Sequence, residues 1–247
     1  MNNRIFLSDF RCGVISDWSE LPFLEILGIA GADYFIFDTE HRIAQADAME
    51  RILVTCKSIH LPVAFRIPEY DIHSIGRLLD MGCDAIVLPH VNDIGYLKRA
   101  IDEIYFPPKG HRGIGQSRSN AYTIGKTTKQ YVAEVNNSFF LLPQIEDDEG
   151  CKIAKEILQT DATLGLLLGL RDLSTSLGVP GDFMCDAVQS RIERLRDLCA
   201  AAGKPLIIPC SVESIEYYKN KGINSILLSA NPLLNRALKQ AFELIKA

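Results

Sequence analysis

Two apolar runs of the sequence lead into carboxylates whose types suit a metal site. The run FFLLPQIE, from Phe139, ends with Gln144 and Glu146, and Asp172 follows the run TLGLLLG, from Thr163. Carboxylate oxygens are hard ligands that suit Mg²⁺ or Mn²⁺, and two of them leave most coordination positions open. A chelating substrate can occupy such positions, so the pattern predicts a metal site that also binds substrate.

Polar residues of other kinds follow two earlier apolar runs. His41 comes directly after YFIFDTE, from Tyr34, and Arg66 lies near the end of PVAFRIP, from Pro62. Together with the two carboxylates they favour enolate chemistry, in which a divalent metal chelates a 2-oxo acid and stabilises its enolate. The arginine would add positive charge near the keto oxygen, and the histidine would move a proton. A Schiff-base mechanism is disfavoured, because no lysine ends a predicted strand.

Structural interpretations of the same residues stay open. The position of His41 is compatible with a surface loop, and Arg66 is compatible with a structural ion pair to Asp38 or Asp80. These alternatives matter because single polar residues at strand ends are common.

The carboxylates also have structural alternatives. The run 147–149 after Glu146 is acidic and is typical of a helix N-terminus, which the helix dipole favours. Asp172 precedes Leu-Ser-Thr-Ser and suits a helix cap. The metal interpretation therefore depends on Glu146 and Asp172 converging in space.

Eight β-rich runs provide the elements that would bring these residues together. They are CGVIS, YFIFDTE, PVAFRIP, AIVLPHV, FFLLPQIE, TLGLLLG, PLIIPC and SILLSA. Most are continuously apolar, as strands buried on both faces of a parallel sheet are. Amphipathic stretches between them predict eight alternating helices and a (β/α)₈ (TIM) barrel, with its chemistry at the carboxyl ends of the strands. A doubly wound open sheet is the alternative, but no glycine-rich phosphate motif follows the first strand.

Composition limits the class of protein. The 247 residues are 47% apolar and 23% charged, which suits one domain spanning 1–247. A net charge of −5 argues against nucleic acid and anionic membranes as partners, and no apolar segment approaches a membrane span. The N-terminus MNNRIFLSDFRCG has no leader pattern, and the seven cysteines include no CxxC. We therefore expect free thiols and a cytoplasmic location.

Six segments, in this order, carry a resemblance over nearly the whole chain. They are AGADYFIFDTEH, VAFRIP, LLDMGCDAIVLPHV, YFPPKGHRGIG, LLPQIED and GLRDLSTSLGVPG. The sequence resembles the HpcH/HpaI aldolase family of metal-dependent pyruvate-type aldolases. The resemblance implies catalytic roles for three residues: His41 shuttles the proton, Asp80 pairs with and orients that histidine, and Arg66 stabilises the enolate oxygen.

The resemblance also implies a metal and substrate site. Glu146 and Asp172 match the metal carboxylates, and the metal would be Mg²⁺, Mn²⁺ or Co²⁺. Gln144 matches a glutamine that faces the substrate, and the loop around Gly169 and Arg171 matches the one that receives the pyruvate carboxylate. The implied assembly is a homohexamer, a trimer of dimers, with exchanged C-terminal helices and active sites near subunit interfaces.

The chain departs from the family pattern near the second substrate. Gly169-Leu170-Arg171-Asp172 replaces the usual Gly-Pro-Ala/Asn-Asp. We therefore expect Arg171 to recognise a second anionic group on the substrate, unless it pairs with Asp147 or Asp182.

The sequence as a whole predicts a metal-dependent carbon–carbon lyase. Its substrates would be a 4-hydroxy-2-oxo acid or, in reverse, a small 2-oxo acid and an aldehyde. A 2-oxo acid decarboxylase or specialised biosynthetic lyase with the same enolate chemistry is the alternative, and a non-catalytic metabolite-binding barrel is a third.

Overall fold

A computed structural model describes residues 11–138 and 140–246 of the chain. Its centre is a closed barrel of eight parallel strands, β1 to β8, hydrogen-bonded in chain order. The strands are Arg11–Ser16, Tyr34–Asp38, Val63–Arg66, Ala85–Leu88, Leu141–Ile145, Leu166–Leu168, Leu206–Pro209 and Ser225–Ser229. The predicted (β/α)₈ barrel and all eight predicted strands are confirmed.

Ten α-helices, α1 to α10, surround the barrel in the part of the chain that the structure describes. They are Leu21–Ile29, Ala46–Ser58, Ile75–Met81, Ile94–Ile104, Thr128–Asn136, Asp148–Leu158, Leu170–Ser176, Asp186–Ala201, Ile215–Asn220 and Ala230–Lys246. The prediction of eight helices was therefore too low: α5 lies in the long connection before β5, and α7 is a short helix directly after β6. None of the described helices is long and apolar enough to cross a membrane.

The alternation of side chains along each strand separates two cores. One face of each strand packs against the helices, as Phe35, Phe37 and Phe65 do in edge-to-face and tilted ring contacts. The opposite face fills the barrel with a smaller cluster, which includes Tyr34 and Ile36.

The interior-facing series becomes polar where the strands end. Tyr34 and Ile36 of β2 face the barrel interior, and Asp38 is next in that series. In β3 the interior residue Ala64 is followed two positions later by Arg66. Because the side-chain period of a strand is two, Asp38 and Arg66 point towards the same axis.

The fifth and sixth strands continue this pattern. Leu142 of β5 is interior, and Gln144 and Glu146 follow at the same spacing. Leu167 of β6 is interior, and Gly169 follows two residues later. The barrel thus brings polar residues from three strands, and Gly169 from a fourth, to one end, where the chemistry of such folds is carried out.

Two expectations fall partly outside the described residues. The first ten residues of the N-terminal segment, which the sequence predicts to lack a leader, lie outside them, as does Ala247 at the end of the predicted domain. Phe139, the first residue of the fifth predicted strand, lies outside them as well.

Candidate active site

Arg66 and Asp38 form the first half of the site. They are direct neighbours in the register of β2 and β3. Arg66 Nε donates to Asp38 Oδ1 at 2.9 Å, and Nη2 donates to Oδ2 at 2.6 Å. Burial lowers the pKa of the guanidinium, but the carboxylates of Asp38, Glu40 and Glu146 outweigh burial and raise it overall. The open structural alternative, a pair with Asp38, is therefore present, and it fixes the guanidinium at the barrel mouth.

Glu40 continues the acidic side of the site. Its side chain is only 8% exposed, and Oε2 lies 3.0 Å from Arg66 Nη1. The other oxygen, Oε1, lies 3.3 Å from His90 Nε2. Glu40 thus lies between the Arg66 guanidinium and the His90 imidazole.

Glu146 is the most buried carboxylate of the site, with a side chain that is 2% exposed. Its Oε2 accepts the backbone N–H of His90 at 2.8 Å, and its Oε1 accepts Gln144 Nε2 at 2.8 Å. The pKa of Glu146 is raised to about 7: burial and the charges of Glu40 and Asp172 raise it, and these effects outweigh the lowering by His90. A bound cation would offset the cost of burying the charged form of Glu146 beside other carboxylates.

Gly169 and Gln144 complete the surroundings of that carboxylate. A Cβ at Gly169 would lie 2.5 Å from Cγ and Oε1 of Glu146, so only glycine leaves room for the acidic side chain. Gln144 is 4% exposed, and its Oε1 has no hydrogen-bond partner among the described residues. A buried unpaired acceptor of this kind is unusual and marks a place for a ligand.

His90 is a site residue that the sequence patterns do not single out. It follows β4 in the run AIVLPHV, and its ring lies between two carboxylates: Nδ1 is 3.1 Å from Glu146 Oε2 and Nε2 is 3.3 Å from Glu40 Oε1. One ligand atom from each of Glu40, His90 and Glu146 lies within 4.8 Å of the others. The available signal was its position, since it follows a fully buried strand at the end where the other site residues lie.

The structure does not bring His41 and Asp80 together within one chain. The side chain of His41 is 74% exposed, and its Nε2 lies 4.0 Å from Glu40 Oε2. Asp80 lies on α3 and accepts Arg112 Nη2 at 2.5 Å. The predicted pair of Asp80 with His41 therefore has no support from these contacts, and Asp80 has a structural partner that the sequence did not reveal.

Asp172 and Arg171 lie in the first turn of α7 and are exposed. The charge of Asp172 contributes to the raised pKa of Glu146, so the two carboxylates act on one another electrostatically. Asp172 makes no capping hydrogen bond, because the N-cap of α7 is Gly169. Among the described residues, Arg171 has no carboxylate within 4.0 Å, so the alternative pairs with Asp147 and Asp182 are not formed.

The acidic residues 146–149 have two different roles. Asp147 is the N-cap of α6 and accepts the N–H of Gly150 at 2.7 Å, and the next two residues lie in the first turn. The helix interpretation therefore holds for Asp147 onward. Glu146 precedes the helix and belongs to the pocket.

The donor set fits a divalent cation on charge and chemistry. Three carboxylates with little exposure, those of Asp38, Glu40 and Glu146, face one guanidinium, that of Arg66. The orphaned Gln144 oxygen adds a neutral acceptor beside them. Oxygen-rich, negatively charged pockets of this kind suit hard cations.

Comparisons with known proteins identify relatives of the whole chain. Residues 14–209 match the model of the HpcH/HpaI aldolase/citrate lyase family. The chain is 30% identical over 224 residues to a 5-keto-4-deoxy-D-glucarate aldolase of Escherichia coli, which covers 87% of this chain and 86% of that one.

Two solved structures share the fold. The HpcH/HpaI aldolase from Desulfitobacterium hafniense DCB-2 superimposes with a TM-score of 0.88 at 23% identity, covering 100% of this chain and 96% of that one. The citrate synthase SbnG superimposes with a TM-score of 0.85 at 22% identity, covering 98% and 96%. The same barrel thus occurs in proteins named for different carbon–carbon bond reactions.

Proposed function

Since the chain belongs to the HpcH/HpaI aldolase/citrate lyase family and is an enzyme of the lyase type, we propose that it is a divalent-metal-dependent aldolase. Its substrate would be a 4-hydroxy-2-oxo acid, cleaved to pyruvate or a close 2-oxo acid and an aldehyde, or formed from them. The observation that carries the proposal is the buried Glu146 carboxylate beside the orphaned Gln144 oxygen.

Glu146 and Asp172 would hold the cation, Mg²⁺, Mn²⁺ or Co²⁺. When bound, it supplies Lewis acidity that polarises the keto group and stabilises the enolate. Gln144 Oε1 then accepts a hydrogen bond from a ligand in the pocket, which satisfies an otherwise unpaired buried atom.

Arg66 and His41 perform the remaining steps. The Arg66 guanidinium, fixed by Asp38, stabilises the negative charge that develops on the keto oxygen. The exposed His41 accepts the C4 hydroxyl proton at an imidazole nitrogen as the C3–C4 bond breaks, and the bond electrons move into the enolate. Protonation of C3 gives the 2-oxo acid, and the aldehyde leaves through the open mouth.

Arg171 is the residue we assign to a second anionic group of the substrate. It is exposed in the first turn of α7 and has no carboxylate within 4.0 Å in the described chain. The E. coli relative is named for an aldarate, a sugar acid with a carboxylate at each end. Arg171→Ala should therefore reduce turnover of acceptors that carry a carboxylate more than turnover of neutral ones; equal losses would contradict this role.

The proposed enzyme works as a homo-oligomer in the cytoplasm. Helix α10 exposes Leu234, Leu238 and Phe242 at a spacing of four residues, which makes one apolar face. We propose that this face packs on a second copy, in the hexamer that the resemblance implies. All seven cysteines are free thiols, which fits a reducing compartment.

The test is pyruvate release from a panel of 4-hydroxy-2-oxo acids and from oxaloacetate, with each metal or with EDTA. We expect EDTA and Glu146→Gln each to reduce release by more than about 10³-fold, since the carboxylate and the metal act as a unit. Glu149→Gln is the matched control, because Glu149 is exposed and pairs with Lys152. Decarboxylation without aldol cleavage would instead assign a specialised lyase, and no turnover with any metal would reject the proposal.

A further inference from the structure

His90 has an unusual backbone for a residue of its size. Its φ of 52° lies in the left-handed region, which costs energy for residues other than glycine. The backbone N–H donates to Glu146 Oε2 at 2.8 Å, and the ring of the same residue contacts that oxygen at 3.1 Å. Such strain persists where the surroundings require it, so the conformation indicates that the position of this ring matters.

The distances around the ring suit coordination of a metal. Ligand atoms that share one ion at about 2.0–2.2 Å lie roughly 3.0–3.5 Å from one another. The two ring nitrogens of His90 lie 3.1 Å from Glu146 Oε2 and 3.3 Å from Glu40 Oε1. One nitrogen can therefore bind an ion while the other donates to a carboxylate, as ligating histidines usually do.

A second observation also points to a ligand at this place. Gln144 donates to Glu146 Oε1, and its own oxygen is buried and without a partner in the part of the chain that the structure describes. The cluster therefore contains an acceptor that the protein itself does not satisfy.

We propose that His90 is a nitrogen ligand of the cation at Glu146 and that it shifts the metal preference of the site from Mg²⁺ towards Co²⁺ and similar transition metals. The proposal rests on the metal dependence proposed above. Mg²⁺ strongly prefers oxygen ligands, whereas imidazole suits transition metals. With Glu146, Asp172 and the His90 imidazole as ligands, the site would bind Mg²⁺ more weakly than the other candidate ions.

The experiment compares metal binding, independent of turnover, in the wild type and in His90→Asn. Asparagine tolerates a positive φ and replaces the nitrogen ligand with an amide oxygen. Isothermal titration of the metal-stripped protein gives Kd for Mg²⁺ and Co²⁺. Pulsed electron paramagnetic resonance of the Mn²⁺ protein reports ¹⁴N coupling from an imidazole ligand.

We expect His90→Asn to weaken Co²⁺ binding by about 10- to 100-fold while Mg²⁺ binding changes much less, and to remove the ¹⁴N coupling. His73→Asn is the matched control, because His73 is 81% exposed and pairs with Glu103. His90→Gly, which accepts a positive φ without strain and supplies no ligand, should also lose the coupling.

An unchanged ratio of the two Kd values, or coupling that persists in His90→Asn, would overturn the proposal. Failure of the aldolase assignment is a separate result. It would show as absent pyruvate release in the wild type, whatever the nitrogen coupling shows.

Discussion

Two arginines with little exposure, each paired with an aspartate, occupy contrasting surroundings. The side chain of Arg66 is 12% exposed and bonds to Asp38 at the mouth of the barrel. The side chain of Arg112 is 3% exposed and bonds to Asp80 on α3, outside the barrel. The sequence alone does not distinguish these pairs, since each joins residues far apart in the chain.

Their other neighbours do distinguish them. Arg112 also donates to Ile104 O and to the Tyr131 hydroxyl, each at 3.3 Å, and its guanidinium lies 5.0 Å from the ring centroid of Phe106. Only its Nε lacks a partner among the described residues. Arg112 is therefore surrounded by structural contacts.

Arg66 instead has acidic neighbours beyond its partner. Glu40 lies 3.0 Å away, and Glu146 adds a further negative charge to its surroundings. An excess of buried negative charge costs stability unless a ligand compensates for it. An ion pair with little exposure therefore indicates function where further charges of the same sign lie around it uncompensated, and structure where its other neighbours are neutral.

The largest effect that the comparison predicts is the loss of stability in Arg112→Met. This change removes the hydrogen bonds from Arg112 to Asp80, to Ile104 O and to the Tyr131 hydroxyl, so we expect a loss of about 2–4 kcal/mol, at roughly 1 kcal/mol for each bond. Urea unfolding should show this loss in the free energy of unfolding, while the Kd for Co²⁺ in the folded protein stays within about twofold, since Arg112 contacts no proposed ligand. Arg118→Met is the control: it breaks an ion pair with the exposed Glu50, so it should cost less than about 1 kcal/mol.

Arg66→Lys should have the opposite profile. Lysine keeps the charge but not the planar fork that bonds both oxygens of Asp38, so we expect kcat for pyruvate release to fall about 10²- to 10³-fold. The free energy of unfolding should change far less than in Arg112→Met. Arg42→Lys, which alters an exposed pair with Asp17, provides the control. A kcat within about threefold of the wild type would show that catalysis does not use the guanidinium geometry.

Asp80→Asn tests the pairing implied by the resemblance against the one in the structure. If Asp80 acts only on Arg112, the variant loses about 1–2 kcal/mol of stability and keeps the wild-type dependence of kcat on pH. If Asp80 orients His41, the pair must form between two copies of the chain, because one chain does not bring them together. The pH–rate profile of Asp80→Asn would then change together with that of His41→Asn.

The fold and much of the site followed from local patterns. Continuous apolar runs predicted every strand, and the strand ends identified Arg66, Gln144 and Glu146, which the barrel places at one mouth. Parallel strands make such predictions possible, because the residue that follows a buried strand must lie at the same end as its counterparts.

The site residues and ion pairs that the sequence did not predict depend on three-dimensional contacts. His90 joins the cluster through a left-handed turn, and Asp80 meets Arg112, which lies 32 residues later in the chain, beyond β4 and α4. Neither a φ angle nor the partner of a charged residue follows from spacing along the chain. Glu40 is a similar case: it stands beside His41 in sequence, but its side chain is 8% exposed and that of His41 is 74% exposed.

Gly169→Ala is the smallest change among these variants, because it adds one methyl group beside the proposed metal ligand Glu146. The backbone φ of Gly169 is −95°, which alanine adopts without strain, so the effect must come from the new Cβ. That atom would lie 2.5 Å from Cγ and Oε1 of Glu146 and must displace the carboxylate. We expect the Kd for Co²⁺ to rise by about 10- to 100-fold in isothermal titration.

Gly113→Ala is the matched control for that variant, because a Cβ there meets nothing within 4 Å. It should leave the Kd unchanged, whereas the effect of Gly169→Ala should be absent when Glu146 is already Gln. If Gly169→Ala binds Co²⁺ like the wild type, Glu146 does not hold the cation. The excess negative charge around Arg66 would then have to be compensated by a group other than a cation bound to Glu146.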